Sequence, residues 1–169
     1  LVCGTRGRWF ESTLLYQKMT KDKKNKPSKE LPLGFVDRQE KELLVRDFII
    51  SNIKDVMIKY GFQYLETPSF EYSDSIGKFL PDKDRPDQGV FSFQDEKKWL
   101  SLRYDLTAPL ARYVAKNYLE IPKPFKRYQL GTVWRNEKPG PGRFREFLQF
   151  DADFVGTKSL QADAELCVM

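Results

Sequence analysis

No histidine occurs anywhere in the 169 residues. A Ser-His-Asp triad, a Cys-His pair and any imidazole metal site are therefore excluded, unless another chain or another segment supplies the ring. Cysteine is scarce as well. Cys3 and Cys167 lie at opposite ends of the sequence, so there is no disulfide framework and no zinc-ligand spacing, and the pair fits a reducing compartment. No stretch approaches 18 apolar residues and no charged-then-apolar leader opens the chain, so neither a membrane span nor a secretory signal is expected. Ten glycines and ten prolines are too few for a collagen-like chain. What is present, 40% hydrophobic and 31% charged residues, suits one domain with a real core.

The net charge of +5 says little about partners. Residues 17–30 carry six lysines against two acids, so the rest of the chain sums to only +1. Such a run reads as a solvated linker more readily than as a nucleic-acid-binding arm. Residues 1–30 are accordingly expected to be irregular, with the ordered domain covering 31–169.

Val45, Ile49, Ile53, Val56/Met57 and Tyr60 recur every three or four positions, which predicts an amphipathic helix over 38–60 closed by Gly61. Residues 62–70 read as extended, with Pro68 placing that stretch at an edge, a bulge or an interface. A Gly/Pro/Asp-rich loop over 71–89 holds one helical turn near Ser73–Phe79. Strands are expected at 90–94 and 99–107, then a helix over 108–117 capped by Thr107. Two long strands, 125–135 and 143–155, joined by the Lys-Pro-Gly-Pro-Gly loop at 138–142, form an antiparallel hairpin.

Alternation assigns the strand faces. Leu100, Leu102, Tyr104 and Leu106 oppose Ser101, Arg103, Asp105 and Thr107. Tyr128, Leu130, Thr132 and Trp134 oppose Gln129, Gly131, Val133 and Arg135. Leu148, Phe150, Ala152 and Phe154 oppose Phe147, Gln149, Asp151 and Asp153. Each strand has one apolar and one polar face. Water alone could cover the polar faces, but Phe147 and Val133 sit among the polar groups and their chemistry is complementary. Arg135 offers a cationic fork for phosphate or carboxylate. Asp105 and Asp153 offer anions for an ammonium or a protonated ring, and Gln149 donates and accepts. Such a face could bind a zwitterionic amino acid beside a nucleotide. The loop at 138–142 lacks both GxxxxGK[ST] and GxGxxG, so it supports neither a P-loop nor a dinucleotide fold.

Arg135-Asn136-Glu137 at a strand end, the loop, and then Arg143-Phe144-Arg145-Glu146-Phe147 resemble motif 2 of the class II aminoacyl-tRNA synthetases. Tyr60-Gly61-Phe62 through Thr67-Pro68 resembles their motif 1. Ser101-Leu102-Arg103-Tyr104-Asp105-Leu106-Thr107 and residues 135–156 are similar to the histidyl-tRNA synthetases in particular. The resemblance covers about 31–169. It implies an α+β fold with a mainly antiparallel sheet flanked by helices, incomplete in this chain, and a cytoplasmic homodimer formed through motif 1 with Pro68 at the interface. It also implies activation of L-histidine by ATP, with Mg²⁺ accompanying the nucleotide and tRNA(His) as acceptor. Arg135 would be catalytic, contacting the substrate carboxylate and the α-phosphate. Glu137 would accept from the adenine amino group, Phe147 would stack on the ring, and Arg143 would reach the outer phosphates. Asp105, Leu106 and Thr107 would line the histidine pocket with Gln149, and Asp153 would bind the imidazole; no dedicated metal cage is implied. The family's motif 3, its second catalytic arginine and its anticodon-binding domain do not occur before Met169, so a fragment inactive on its own is expected. The family also includes a non-catalytic regulatory subunit of ATP phosphoribosyltransferase, which is the alternative reading.

Overall fold

The computed structural model describes residues 28–77 and 89–169. Cys3, the lysine-rich run up to Pro27, and Lys78 and Phe79 at the end of the expected helical turn lie outside the described residues. The chain divides into two units, 1–32 and Leu33–Met169. All the elements below belong to the second.

Helix α1 runs Glu40–Lys59. It closes as its sequence requires: Gly61 adopts φ +75° and donates to the Ile58 carbonyl at 3.0 Å, while the Phe62 N–H reaches the Met57 carbonyl at 2.9 Å. A Cβ at that φ would be strained, so the glycine is what lets the helix stop there. The buried stripe differs from the expected one. Val45 and Ile49 are exposed, and only Ile53 and Met57 of the predicted set pack against the core. Over its N-terminal half the helix instead turns Leu43, Arg46 and Ile50 inward. Spacing fixes the period of a helix and leaves its rotation to whatever packs against it.

Strand β1 is Gln63–Tyr64 and β2 is Phe70–Tyr72. The extended stretch between them is broken at exposed Pro68, which has no N–H to give to a ladder. A short helix α2, Ser73–Gly77, follows. Strands β3 (Ser92–Asp95) and β4 (Lys98–Leu102) are antiparallel. Helix α3 is Thr107–Asn117, β5 is Phe125–Trp134, β6 is Glu146–Val155, and α4, which the sequence reading left unassigned, is Leu160–Val168. The Ser159 side chain accepts from the Gln161 N–H at the start of α4.

The strands form two three-stranded sheets, ordered β1-β5-β6 and β2-β4-β3. The β5–β6 hairpin is antiparallel over ten pairs, from Phe125↔Val155 to Trp134↔Glu146, while β1 adds in parallel to β5. Tyr128, Phe150, Ala152 and Phe154 pack with Met57, Phe62, Ile53 and the α4 residue Leu166, so the expected apolar face does bury against helices.

The strand expected over 99–107 ends at Leu102. At Arg103 the backbone crosses between sheets: its N–H donates to the Ser69 carbonyl at 2.9 Å and its carbonyl accepts from the Trp134 N–H at 3.1 Å. The chain then turns into α3, and Asp105 rather than Thr107 caps it. Asp105 Oδ1 accepts from the N–H groups of Thr107 at 3.1 Å and Ala108 at 2.9 Å. A carboxylate reaches two amides at a helix start where the Thr107 hydroxyl, already inside the first turn, points elsewhere.

The Arg103 side chain lies across Gly131. Its Nε donates to the Thr132 carbonyl and its Nη1 to the Thr67 carbonyl, both at 2.8 Å. A Cβ on Gly131 would meet Arg103 Nη2 at 2.5 Å and Leu106 Cδ2 at 3.2 Å. Gly131→Ala is therefore expected to destabilise the fold by about 1–3 kcal/mol, because the guanidinium it displaces is tied down at both ends. A thermal melt checks this, and an unchanged midpoint would contradict the crowding.

Candidate functional site

The ladder between β5 and β6 decides which residues share a face. Directly opposed pairs are Val133 and Phe147, Gly131 and Gln149, Gln129 and Asp151, and Arg127 and Asp153. Cross-strand partners point to the same side of a sheet. One face therefore carries Phe147, Gln149, Asp151 and Asp153 in a row, and the chain segment 103–107 runs beside it. Phe147 and Asp153 are six residues apart, so this face is about 20 Å long.

Arg135 and Phe147 mark one end. The Arg135 guanidinium lies 4.6 Å from the Tyr104 ring centroid and 4.9 Å from that of Phe147, and its Nε donates to the Tyr104 carbonyl at 3.4 Å. Both rings lie within cation–π range of the guanidinium. No carboxylate among the described residues forms an ion pair with it. Phe147, expected to stack on a purine, thus already has this cation against its ring.

Glu137 lies beside them. The Tyr104 hydroxyl donates to its Oε1 at 2.5 Å, and Arg143, two-thirds exposed, pairs with its Oε2. Burial, and then the bond to Glu137, push the Tyr104 hydroxyl up; the Tyr104 hydroxyl and then Arg143 hold the Glu137 carboxyl below the usual carboxylate range. The stabilisation from a lowered carboxyl is present above its ordinary pKa of about 4.3 and is lost as pH falls through the lower folded value. Glu137→Gln is expected to lower the melting temperature at pH 7 and to make no difference once the pH lies below that folded value. Melts from pH 7 down to 3 check this; an equal deficit at every pH would exclude the pairing as its source. The loop beyond Glu137 closes by reciprocal bonds between Gly140 and Arg143, as a hairpin tip does.

The other end is acidic. Asp153 Oδ2 lies 2.8 Å from Arg127 Nη2, and Asp151 Oδ2 lies 4.0 Å from the same nitrogen. Thr107 Oγ1 donates to Asp151 at 3.5 Å, and Gln149 Nε2 donates to Asp151 at 2.8 Å. Asp105 is close enough to act on the charge of Arg127. These four ionised groups, three aspartates and one arginine, sum to −2. Burial raises the Asp153 carboxyl above its usual range and Arg127 opposes the rise. Leu106 is wholly buried and offers its carbonyl to Arg127 rather than its side chain to a ligand.

The structure therefore brings Asp105, Thr107, Gln149 and Asp153 together, and gathers Arg135, Glu137, Arg143 and Phe147 some way along the same face. Pro68 lies apart, on the link between β1 and β2. The sequence reading missed Arg127 and gave Asp151 no role. Alternation extended one step back from Gln129 would have placed Arg127 on the polar face, directly among the acids. Among the described residues, no group of three or more His, Cys, Asp or Glu is arranged to hold a metal ion.

A family model described as histidyl-tRNA synthetase matches residues 34–169. The chain is 60% identical over 148 residues to a histidine–tRNA ligase of Bartonella quintana, covering 87% of this chain and 30% of that protein. It is 58% identical over 149 residues to one of Brucella ovis, covering 88% and 30% respectively. The chain thus spans about a third of the length of these curated relatives. Among solved structures, a histidyl-tRNA synthetase from Nostoc sp. PCC 7120 superposes with a TM-score of 0.71 at 30% identity, over 83% of this chain and 32% of that one. An ATP phosphoribosyltransferase regulatory subunit/histidyl-tRNA synthetase from Bacillus halodurans superposes with a TM-score of 0.72 at 28% identity, over 84% and 36%. These likenesses bear out the expected α+β architecture with a partial, mainly antiparallel sheet.

Proposed function

Since the chain belongs to the histidyl-tRNA synthetase family, we propose that it is the part of a histidine–tRNA ligase that binds L-histidine and ATP and joins them. The observation that supports this best is the polarity of one sheet face. A cation without a carboxylate partner among the described residues, Arg135, sits at one end, and a cluster of net charge −2 sits at the other. A zwitterionic amino acid lying beside a nucleotide has the matching distribution of charge.

The histidine carboxylate attacks the α-phosphorus of ATP, the bond to the bridging oxygen breaks, and pyrophosphate leaves. Arg135 neutralises the charge that grows on the phosphorus centre and orients the attacking carboxylate. Glu137 accepts from the adenine amino group, Phe147 offers its ring to the adenine, and Arg143 swings from Glu137 to the outer phosphates, whose charge is shared with the Mg²⁺ that arrives with ATP. Asp105, Thr107 and Gln149 hold the substrate ammonium, and Asp153 accepts from the imidazole N–H, a bond that analogues without that donor leave unmade. In the second step a terminal ribose hydroxyl of tRNA(His) attacks the acyl carbon and AMP departs.

Histidine-dependent exchange of pyrophosphate into ATP, measured with a complete ligase containing residues 34–169, tests this. Exchange with histidine alone among the amino acids is expected; none with histidine would overturn the reading. The likeness to the Bacillus halodurans protein, whose description includes a phosphoribosyltransferase regulatory subunit, supports one alternative. That reading would be favoured by histidine binding without exchange, together with stimulation of a phosphoribosyltransferase.

The protein acts as a cytoplasmic homodimer in this reading. Leu44, Val45, Phe48 and Ile49 form an uncovered apolar patch on α1, with Phe48 70% exposed, and Pro68 is exposed as well. A second copy would cover such a patch. Phe48→Asp in the complete protein is expected to convert dimer to monomer in sedimentation, and an undisturbed dimer would remove this face from the interface. No helix among the described residues is long and apolar enough to cross a membrane.

A further inference from the structure

An arginine whose side chain is 0% exposed is an expensive thing to place in the middle of a strand. Arg127 sits so, and the groups around it are specific. Asp153 is its directly opposed partner on β6, and Asp151 is the diagonal one. Its Nη2 also donates to the Leu106 carbonyl at 3.3 Å, and its Nη1 to Gln129 Oε1 at 3.4 Å. Through Asp151 it connects to Gln149 and Thr107, and through Leu106 to the turn that holds Asp105. Every residue assigned to the amino-acid end of the site therefore touches Arg127 or a group that does. Arg127 Nε and Asp153 Oδ2 have no aligned hydrogen bond, so charge and packing, rather than a tight fork, join the pair. Asp153 accepts no aligned hydrogen bond among the described residues; Oδ2 is buried against Arg127, which leaves Oδ1 as the oxygen open to a ligand.

We propose that Arg127 is a positioning residue for the histidine end of the site: its buried guanidinium holds Asp153 ionised and aimed, with Asp151 as the second anion of the same cluster. This rests on the histidine-binding reading of that face. Asp151 and Asp153 lie two positions apart on one strand face and both reach Arg127 Nη2, whose charge offsets their repulsion and the burial of Asp153; a protonated Asp153 would present a donor where the substrate's ring N–H needs an acceptor. Arg127 would not touch substrate. It would act through the carboxylates.

Pyrophosphate exchange by a complete ligase carrying Arg127→Met or Arg127→Lys tests this, with KM measured separately for histidine and ATP. For Arg127→Met, KM for histidine is expected to rise at least about tenfold while KM for ATP stays within about twofold. Arg127→Lys keeps the charge but cannot also hold Gln129 and the Leu106 carbonyl as the guanidinium does, and is expected to fall between, at about threefold. A purely structural role would instead lower the active fraction and hence the apparent kcat, leaving KM for histidine unmoved. If the methionine variant does not fold, the lysine variant decides: a raised KM for histidine alone supports the proposal. An unchanged KM for histidine, or KM values for histidine and ATP that rise together, overturns it. A wild-type ligase without histidine-dependent exchange overturns the functional reading and this proposal with it; a wild type that exchanges, with variants that do not shift, overturns this proposal alone.

Discussion

Arg135→Ala in a complete ligase is expected to reduce histidine-dependent pyrophosphate exchange at least about a hundredfold, the ~3 kcal/mol that one preorganised electrostatic contact to a transition state commonly supplies. The structure makes this a clean substitution. The guanidinium lies between the rings of Tyr104 and Phe147 and makes one long bond, to the Tyr104 carbonyl. Its backbone N–H bonds the Arg145 carbonyl at 2.9 Å, which alanine keeps. Tyr104 retains its bond to Glu137, so the wall of the site stays in place when the cation is removed. The melting temperature and the oligomeric state are accordingly expected to change little while exchange collapses. Arg135→Lys, which keeps the charge without the planar fork, is expected to recover only part of the rate. Retention of most exchange activity by Arg135→Ala would remove Arg135 from the chemistry.

Asp153→Asn is expected to act on stability and on affinity together. It leaves the buried Arg127 without its nearest anion, and breaking such a pair from one side commonly costs 3–5 kcal/mol. The loss should fall near the lower end, about 3 kcal/mol, because Asp151 remains 4.0 Å from the same nitrogen. In the protein that remains folded, histidine affinity is expected to fall at least about tenfold while ATP affinity is retained, since the changed group lies about 20 Å along the strand from Phe147. Calorimetric titration with each substrate separates the two. Equal weakening of histidine and ATP would argue against a local role in the amino-acid pocket, and an unchanged melting temperature would argue against the Arg127 pair.

Much of this arrangement was legible in the residues. Alternation in 127–135 and 147–155 placed Gln149, Asp151 and Asp153 on one side and Leu148, Phe150, Ala152 and Phe154 on the other, and the hairpin obeys it because a period of two leaves a strand no other choice. Gly61 announced the end of α1 for an equally local reason. The same rule applied to 99–107 went too far. Arg103 looks like one more alternating residue, yet its backbone pairs with Ser69 on one side and Trp134 on the other, and Asp105 turns the next residues into a helix. Asp105 and Thr107 therefore reach the site from a helix start rather than from a strand face. The rotation of α1 was illegible for a related reason: apolar residues occur on more than one side of it, so which side is buried depends on where the sheet lies.

The sequence by itself determined the period of α1 and of the β5–β6 strands, the two faces of the hairpin, and the residue types that resemble motifs 1 and 2, because these depend on backbone geometry and on neighbours within a few positions. Only the tertiary structure decided that the six strands fall into two sheets, that Arg135 rests between two aromatic rings, and that Arg127 lies buried against Asp151 and Asp153. Those outcomes turn on register between distant segments and on the cost of removing a charge from water. Neither quantity is a property of any short stretch of chain.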